Sequence, residues 1–271
     1  MGHYHYGFDK NGDDFEKDKD RLVHVPKELI LYDGEEKQLL PVYLAVACKA
    51  NYSSNHKRVV KLSLRDIIHT IGLTPKSGKG KINEQVVVAI NKLRELNCFK
   101  DAPDYFEHDY IDTKTKYRYE VVKPKKAKTY VTITPFDVFT VATIARNKSK
   151  YDSNGKKRRI TFSYETMLRT LLIIRLKIFS TEDKVILLTR DKLHNLVGVS
   201  PQTITDITNQ LDKAGIIRKR VYNLSKEKVA SGEIKKELWQ IAFYSNYYNT
   251  TEKDVYETFC NYKDHIGYQD S

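Results

Sequence analysis

The residues most suited to chemistry lie just after Ser200-Pro201, where apolar and polar positions alternate at helical spacing. Ile204, Ile207 and Leu211 share one side of the predicted helix, so the opposite side is polar. Amide side chains can hydrogen-bond adenine in a DNA groove, and hydroxyl and ammonium groups can bind phosphate. Asp206 lies on the same side and can accept from cytosine, but its carboxylate repels phosphate. From this segment we predict DNA contacts for Ser200, Gln202, Thr203, Thr205, Asn209 and Lys213.

Positive charge is concentrated at four further places along the chain. The protein has a formal net charge of +12 at pH 7, which favours anionic partners, with nucleic acid ahead of acidic membrane surfaces. The four clusters are a glycine-bearing loop, two predicted β-hairpins and a segment near the middle of the chain. Their predicted DNA-binding residues are Lys76, Lys79 and Lys81; Lys123, Lys125, Lys126 and Lys128; Arg218, Lys219 and Arg220; and Lys156, Lys157, Arg158 and Arg159.

The sequence contains no recognisable catalytic or metal-binding signature. Its 3 cysteines are far apart and lack the CxxC or Cys/His spacing of zinc sites. The loop Lys76-Ser77-Gly78-Lys79-Gly80 does not match the nucleotide-binding P-loop, and His3-Tyr4-His5 has no strand around it to support a metal-dependent nicking centre. His69 and His194 lack companion ligands and are predicted to be packing or surface residues. We therefore predict that the protein is not an enzyme and uses no cofactor or metal.

Two segments that resemble each other would position the DNA-binding residues. Residues 65–75 align with residues 190–201, with one extra residue in the second copy. Each copy predicts a short helix, a glycine turn and a longer helix, which is the helix-turn-helix plan, and the strands that follow make it winged. The paired strands of the wings are predicted at 117–123 with 129–134, and at 216–222 with 238–244. The predicted fold class is α+β, mainly α, with two tandem winged-helix domains.

Composition gives the expected domain boundaries. Residues 1–20 are polar and charged and are predicted to be disordered, and the serine- and lysine-bearing segment 148–160 is predicted to be a basic linker. The first winged-helix domain then spans 21–147 and the second 161–246. A helical tail at 247–271 is a candidate dimerisation helix, which makes a homodimer one expected assembly. No apolar stretch reaches the roughly 20 residues that cross a bilayer, so we expect a cytoplasmic protein without membrane contact.

The two copies differ in what their longer helices expose. In a helix over 82–97, Val86, Ile90 and Leu93 define the buried side, and Glu84 and Glu95 fall on the opposite side with Val88 and Asn91. Two glutamates are unfavourable beside DNA phosphates. We therefore predict that the second copy contacts bases, and that the first holds the DNA backbone through its lysines or serves a protein interface.

Beyond these patterns, the chain resembles a group of replication proteins. The segment Val25-Pro26-Lys27-Glu28-Leu29, the apolar helix after it and the first helix-turn-helix resemble Gram-positive plasmid initiators and phage replisome organisers over residues 22–100. Over residues 36–245 the chain resembles tandem winged-helix replication initiators of plasmids and phages. The resemblance implies binding of double-stranded DNA at repeated origin sequences and recruitment of host replication proteins. A winged-helix transcription regulator and a protein-interaction scaffold without a DNA role are the alternatives.

Overall fold

The chain divides into two units, residues 1–147 and 148–271, and its fold is α+β and mainly helical. The computed structural model describes residues 22–36, 38–52, 57–103, 112–122, 130–146, 149–151, 157–159, 162–181, 184–224, 240–246 and 250–265. The segment 1–20, predicted to be disordered, lies outside the described residues. None of the described helices is both long and apolar enough to cross a membrane.

The first unit contains five helices and six strands among its described residues. In chain order they are β1 (Val23–Pro26), α1 (Lys27–Ile30), α2 (Leu39–Lys49), β2 (Asn51–Tyr52), β3 (Arg58–Ser63), α3 (Leu64–Thr70), α4 (Ile82–Glu95), β4 (Phe99–Lys100), β5 (Lys116–Val121), β6 (Tyr130–Ile133) and α5 (Pro135–Arg146). The main sheet is antiparallel, in the order β2, β3, β5, β4. The last of these strands in the sequence, β5, is therefore a central strand.

The core of the first unit is built around α2. This helix is buried from Leu39 to Cys48, as expected for an apolar segment surrounded by other elements. Arg58 is buried at the start of β3, and its guanidinium donates to the carbonyl of Ala47 at 2.9 Å, near the end of α2. A buried charge is tolerated when its donors find acceptors of this kind. The sheet closes the core through Phe99, whose ring stacks on Tyr43 with a centroid distance of 5.8 Å.

The predicted hairpin between residues 117–123 and 129–134 is wrong. Strand β5 pairs with β3 and β4, with Leu62 opposite Tyr117 and Phe99 opposite Val121. Strand β6 pairs instead with β1, in a separate two-stranded sheet where Val25 lies opposite Val131. Both strands alternate apolar and polar residues, but alternation shows which side of a strand is buried and leaves its partner unspecified. The hairpin of the main sheet is formed by β4 and β5.

The order of elements in the second unit resembles part of the first. Its elements are β7 (Ser149–Tyr151), β8 (Lys157–Arg159), α6 (Tyr164–Thr181), β9 (Val185–Leu187), α7 (Arg190–Val197), α8 (Pro201–Lys213), β10 (Ile217–Asn223), β11 (Gln240–Asn246) and α9 (Glu252–His265). The sheet has the order β10, β11, β9 and is antiparallel. From α6 to β11 the second unit runs helix, strand, helix, helix, strand, strand; from α2 to β5 the first unit has the same order with one additional two-residue strand, β2. In both units the final strand of this series is an interior strand of its sheet.

Helices cover both faces of the second sheet. Tyr244 is buried on the face nearest α8, where burial raises the pKa of its hydroxyl to about 12 against the effect of a hydrogen bond with Thr208. The other face presents Phe243 to α9, in a cluster that includes Phe259. The rings of Tyr222 and Phe259 stack with a centroid distance of 3.9 Å. The apolar side of the helical tail, which sequence suggested as a dimerisation surface, is thus packed on the sheet of its own unit.

The segment predicted as a basic linker, 148–160, contains an antiparallel strand pair. Strands β7 and β8 place Lys150 opposite Arg158 and Tyr151 opposite Lys157. Four of the six paired residues are therefore lysine or arginine. Residues 152–156, which include Lys156, lie outside the described residues.

Candidate nucleic-acid interface

The turn between α7 and α8 is fixed by local hydrogen bonds. Helix α7 ends at Gly198, whose φ of 77° lies in the left-handed region that glycine adopts without strain. Helix α8 begins after Ser200, whose Oγ accepts the backbone N–H of Thr203 at 3.2 Å. The Nδ1 of His194, which is half-buried, hydrogen-bonds the carbonyl oxygen of Val199 across the turn. These contacts set the direction in which α8 leaves the turn.

Helix α8 has one buried side and one polar side. The buried side consists of Ile204, Ile207, Thr208 and Leu211. The predicted DNA-binding residues are on the other side: Gln202, Asn209 and Lys213 are exposed, and Thr203 and Thr205 are half-exposed. A helix presented in this way can place amide and hydroxyl groups in the major groove.

Asp206 lies on this polar side and interacts with neighbouring polar side chains. Its Oδ1 accepts from Gln202 Nε2 at 3.3 Å, and its charge favours the protonated form of Lys219. A neighbouring ammonium group offsets the repulsion that an isolated carboxylate would exert on a phosphate. The carboxylate therefore forms part of a polar row along α8.

Lys219, predicted from sequence as a phosphate contact, is directed at α8. Its Nζ donates to Thr208 Oγ1 at 2.9 Å and to Asn209 Oδ1 at 2.8 Å. Its backbone N–H donates to Asp212 Oδ1 at 2.9 Å. Partial burial lowers the pKa of Lys219, and the charges of Asp212 and Asp206 act in the opposite direction. The side chain thus joins β10 to α8.

Arg218 and Arg220, the other two predicted contacts on β10, point to the opposite face of the sheet, because alternate residues of a strand face opposite sides. Both guanidinium groups form ion pairs with Glu252 at the start of α9. Arg218 also donates to the carbonyl of Thr250 at 3.1 Å, and Arg220 lies 3.4 Å from Asp212. Hydrogen bonds from Arg220 and then Arg218 lower the pKa of Glu252. These two cations are therefore engaged within their own unit.

The lysine loop before α4, residues 76–81, is anchored from inside the first unit. Asn83 is buried, and its Oδ1 accepts the backbone N–H of Lys76 at 2.9 Å while its own backbone N–H donates to the Lys76 carbonyl. Its Nδ2 reaches Ser77 Oγ at 3.3 Å. The side chains of Lys76, Lys79 and Lys81 are exposed. A fixed backbone with three outward lysines can hold an anionic chain.

The outer side of α4 differs from that of α8. Glu84 accepts the N–H of Gly80 in the lysine loop, and Gln85 Nε2 donates to the carbonyl of the same residue at 2.7 Å. Farther along the helix Val88 is 36% exposed, and Lys92 is paired with Glu95 at 3.0 Å. Glu84 and Gln85, at the start of α4, are thus engaged with the lysine loop of their own unit.

The hairpin of the first sheet has the opposite charge to the wing expected from sequence. The connection from β4 to β5 contains Asp101, Asp104, Glu107, Asp109 and Asp112, with Lys114 near its end. The predicted contacts Lys123, Lys125, Lys126 and Lys128 follow β5 and lie outside the described residues, as does the segment 225–239 between β10 and β11. That second connection contains four lysines and three glutamates. The signal for the correct hairpin was Phe99-Lys100, directly after α4, which sequence reasoning missed.

Among the described residues, no group of three or more histidine, cysteine or acidic side chains is placed to hold a metal ion. Cys48 and Cys98 are buried and form no disulfide. Burial raises the pKa of Cys98 to about 12. A comparison of the chain with models of known families, characterised proteins and solved structures finds no match.

Proposed function

We propose that the protein is a sequence-specific double-stranded DNA-binding protein in which α8 enters the major groove. The observation that supports this is the polar side of α8. Its exposed amides, hydroxyls and terminal lysine lie on a helix held by a capped turn, with its other side buried. Amide side chains distinguish base edges, and a lysine at the end of the helix meets the phosphate backbone.

The order of elements supports a winged-helix assignment for both units. Each unit contains a helix, one strand or two, a pair of helices and a final strand pair whose last strand is interior to the sheet. This arrangement is expected when the second helix of a helix-turn-helix lies beside a β-hairpin wing. In this assignment α7 and α8 form the helix-turn-helix of the second unit, and α3 and α4 that of the first.

The backbone of the DNA would be held by the lysine loop and the basic strand pair. Lys76, Lys79 and Lys81 are exposed, and β8 supplies Lys157, Arg158 and Arg159. Such contacts give affinity without sequence preference, and in a chain of net charge +12 they make binding strongly dependent on salt.

We further propose that the protein acts in the cytoplasm as an initiator of plasmid or phage DNA replication, without a catalytic role of its own. The support is the tandem plan, since two DNA-binding units in one chain suit repeated origin sites. Host replication proteins would then be its protein partners. A transcription regulator would bind DNA through the same interface. The two roles are therefore distinguished by the DNA sequence that the protein selects.

Selection from a pool of random DNA duplexes, followed by footprinting on the enriched site, tests these proposals. We expect one enriched motif and a protected region longer than a single winged helix covers, because two units are available. The double variant Gln202→Ala, Asn209→Ala should lose the motif and keep weak binding to random DNA. Absence of binding at low salt would refute the DNA-binding function. Enriched sites beside promoters and absent from replication origins would support the regulator.

A further inference from the structure

Lys219 is held at a fixed point beneath the polar side of α8. Its Nζ lies 2.9 Å from Thr208 Oγ1, and Thr208 is fully buried. The Thr208 hydroxyl donates to the carbonyl of Ile204 at 2.9 Å, so it accepts the hydrogen bond from the lysine. The backbone of Lys219 is fixed as well, because its N–H donates to Asp212.

This position determines the orientation of the Asn209 amide. An ammonium group only donates hydrogen bonds, so the amide atom that lies 2.8 Å from Lys219 Nζ is the oxygen. The amide nitrogen, with its two hydrogens, is on the other branch of the side chain. Asn209 is exposed, and within the described part of the chain Lys219 is the hydrogen-bond partner of its side chain. Asn209 therefore presents hydrogen-bond donors outward.

The four bases differ in what they offer to such a group. In the major groove guanine presents two acceptors, N7 and O6, whereas adenine presents the N7 acceptor beside the N6 donor. The bidentate contact of asparagine with adenine uses the amide oxygen and nitrogen together. Here Lys219 uses one of the two lone pairs of the oxygen, and its positive charge repels the adenine N6 donor that would approach the other. The adenine contact is therefore disfavoured, and the donor contact with the guanine acceptors remains.

We propose that Lys219 is a positioning residue that fixes the Asn209 amide as a donor, so that α8 selects guanine at the base pair that Asn209 meets. This proposal rests on the proposed DNA-binding function. It assigns to Lys219 a role in base selection instead of the phosphate contact expected from sequence.

The test uses the full chain and four duplexes that differ only at the base pair whose preference is lost in Asn209→Ala. We expect the wild type to favour guanine over adenine by roughly tenfold, within the range for a good base contact. Lys219→Met should abolish this preference or shift it to adenine, because the amide oxygen is released. Lys213→Met is the matched control, since it removes the same charge from an exposed position; it should weaken binding to all four duplexes and keep the guanine preference.

A second variant covers the case in which Lys219→Met does not fold. Asn209→Asp, at an exposed position, keeps an oxygen for Lys219 and removes the donor, so it should lose the guanine preference. Adenine preference in the wild type, or an unchanged preference in either Lys219→Met or Asn209→Asp, would overturn the proposal.

NMR of the free protein tests the contact without DNA. The side-chain amide resonances of Asn209 should move in Lys219→Met and stay in place in Lys213→Met, and unmoved resonances in Lys219→Met would also overturn the proposal. If the wild type showed no sequence preference at all, the proposed function and this inference would both fall. If the wild type bound DNA sequence-specifically and Lys219→Met kept the guanine preference, the proposed function would stand and only this inference would be refuted.

Discussion

Gln202 contributes little to the packing of the second unit. Its side chain is exposed, and its bond to Asp206 is 3.3 Å long, above the usual length of a side-chain hydrogen bond. It lies one turn of α8 from Asp206 and two turns from Asn209, on the polar side of the helix. A substitution at this position should therefore alter recognition and leave the fold intact.

Gln202→Ala is expected to weaken binding to the selected site by about 1–3 kcal/mol and binding to random DNA only slightly, because the lost contact is to a base edge. Titrations of both duplexes at matched salt measure the two values. Gln85→Ala is the control, since Gln85 lies at the equivalent end of α4 and is bonded to Gly80 of its own loop. If Gln85→Ala lost specificity and Gln202→Ala did not, the roles of the two units would be reversed.

For the three basic residues of β10, the sequence predicts the charge and the strand that contains them. It does not predict their ion-pair partners, because Glu252 lies 32 residues from Arg220 in the sequence. Strand alternation then separates them: Lys219 faces α8, while Arg218 and Arg220 pair with Glu252 of α9. Arg220 also lies 3.4 Å from Asp212, near the end of α8. By contrast, Ser200 and Gly198 could be predicted from residue type, since capping and left-handed backbone are local requirements.

At the scale of elements, α9 is the helix that closes the second sheet. Phe259 is 8% exposed and packs on Phe243 and Tyr222, whereas Tyr256, one turn earlier, is 55% exposed. The two aromatic residues thus lie on one helix in contrasting surroundings, which gives a direct comparison of buried and exposed side chains.

Phe259→Ala should lower the free energy of unfolding of the second unit by about 3 kcal/mol, through lost burial and the cavity that remains. Tyr256→Ala should change it by no more than about 0.5 kcal/mol. Denaturant unfolding of each variant measures the difference. Equal effects of the two substitutions would mean that α9 does not pack on the sheet as described.

The ion pairs of Glu252 make the docking of α9 sensitive to acid. Because the pKa of Glu252 is lowered on folding, by Arg220 and then Arg218, its contribution is complete above the ordinary glutamate value and is lost as the pH falls through the lowered one. The effect should be below about 1 kcal/mol, since the carboxylate is largely exposed. The difference in unfolding free energy between the wild type and Glu252→Gln should therefore shrink between about pH 6 and pH 3. A constant difference would contradict this assignment.

The helices could be located from sequence more closely than the strand partners. The expected helix 82–97 is observed as Ile82–Glu95, because apolar residues at helical spacing determine the buried side without reference to other segments. The pairing of β6 with β1 joins segments more than a hundred residues apart, and no local pattern specifies it. Strand β9 has three residues, Val185–Leu187, too few for alternation to be recognised.

For the whole molecule, the charge is unevenly distributed. The β4–β5 connection is acidic, whereas the lysine loop and the β7–β8 strand pair are basic. The net charge of +12 therefore overstates the charge of some surfaces and understates that of others. DNA binding should depend on these basic segments more than on the net charge of the whole protein.

Affinity for duplex DNA is expected to fall on the order of a thousandfold between about 50 and 200 mM salt if about six phosphates are contacted. Replacing Lys76, Lys79 and Lys81 together by alanine should reduce the slope of log affinity against log salt concentration by about three, if each lysine neutralises one phosphate. Anisotropy titrations over a salt series measure both. Lys253→Ala, on α9, is the control and should leave the slope unchanged. An unaltered slope in the triple variant would place the phosphate contacts elsewhere.

The position of the last strand in each sheet affects how the protein is made. Strand β11 joins β9 to β10, yet it is synthesised after both, and β5 stands in the same relation to β3 and β4. During translation the first unit can complete its main sheet once Val121 has left the ribosome. The second unit must wait until residues 240–246 emerge, and until then β9 and β10 have unpaired edges that invite aggregation. We therefore expect nascent chains arrested before β11 to need chaperones more than those arrested between the two units.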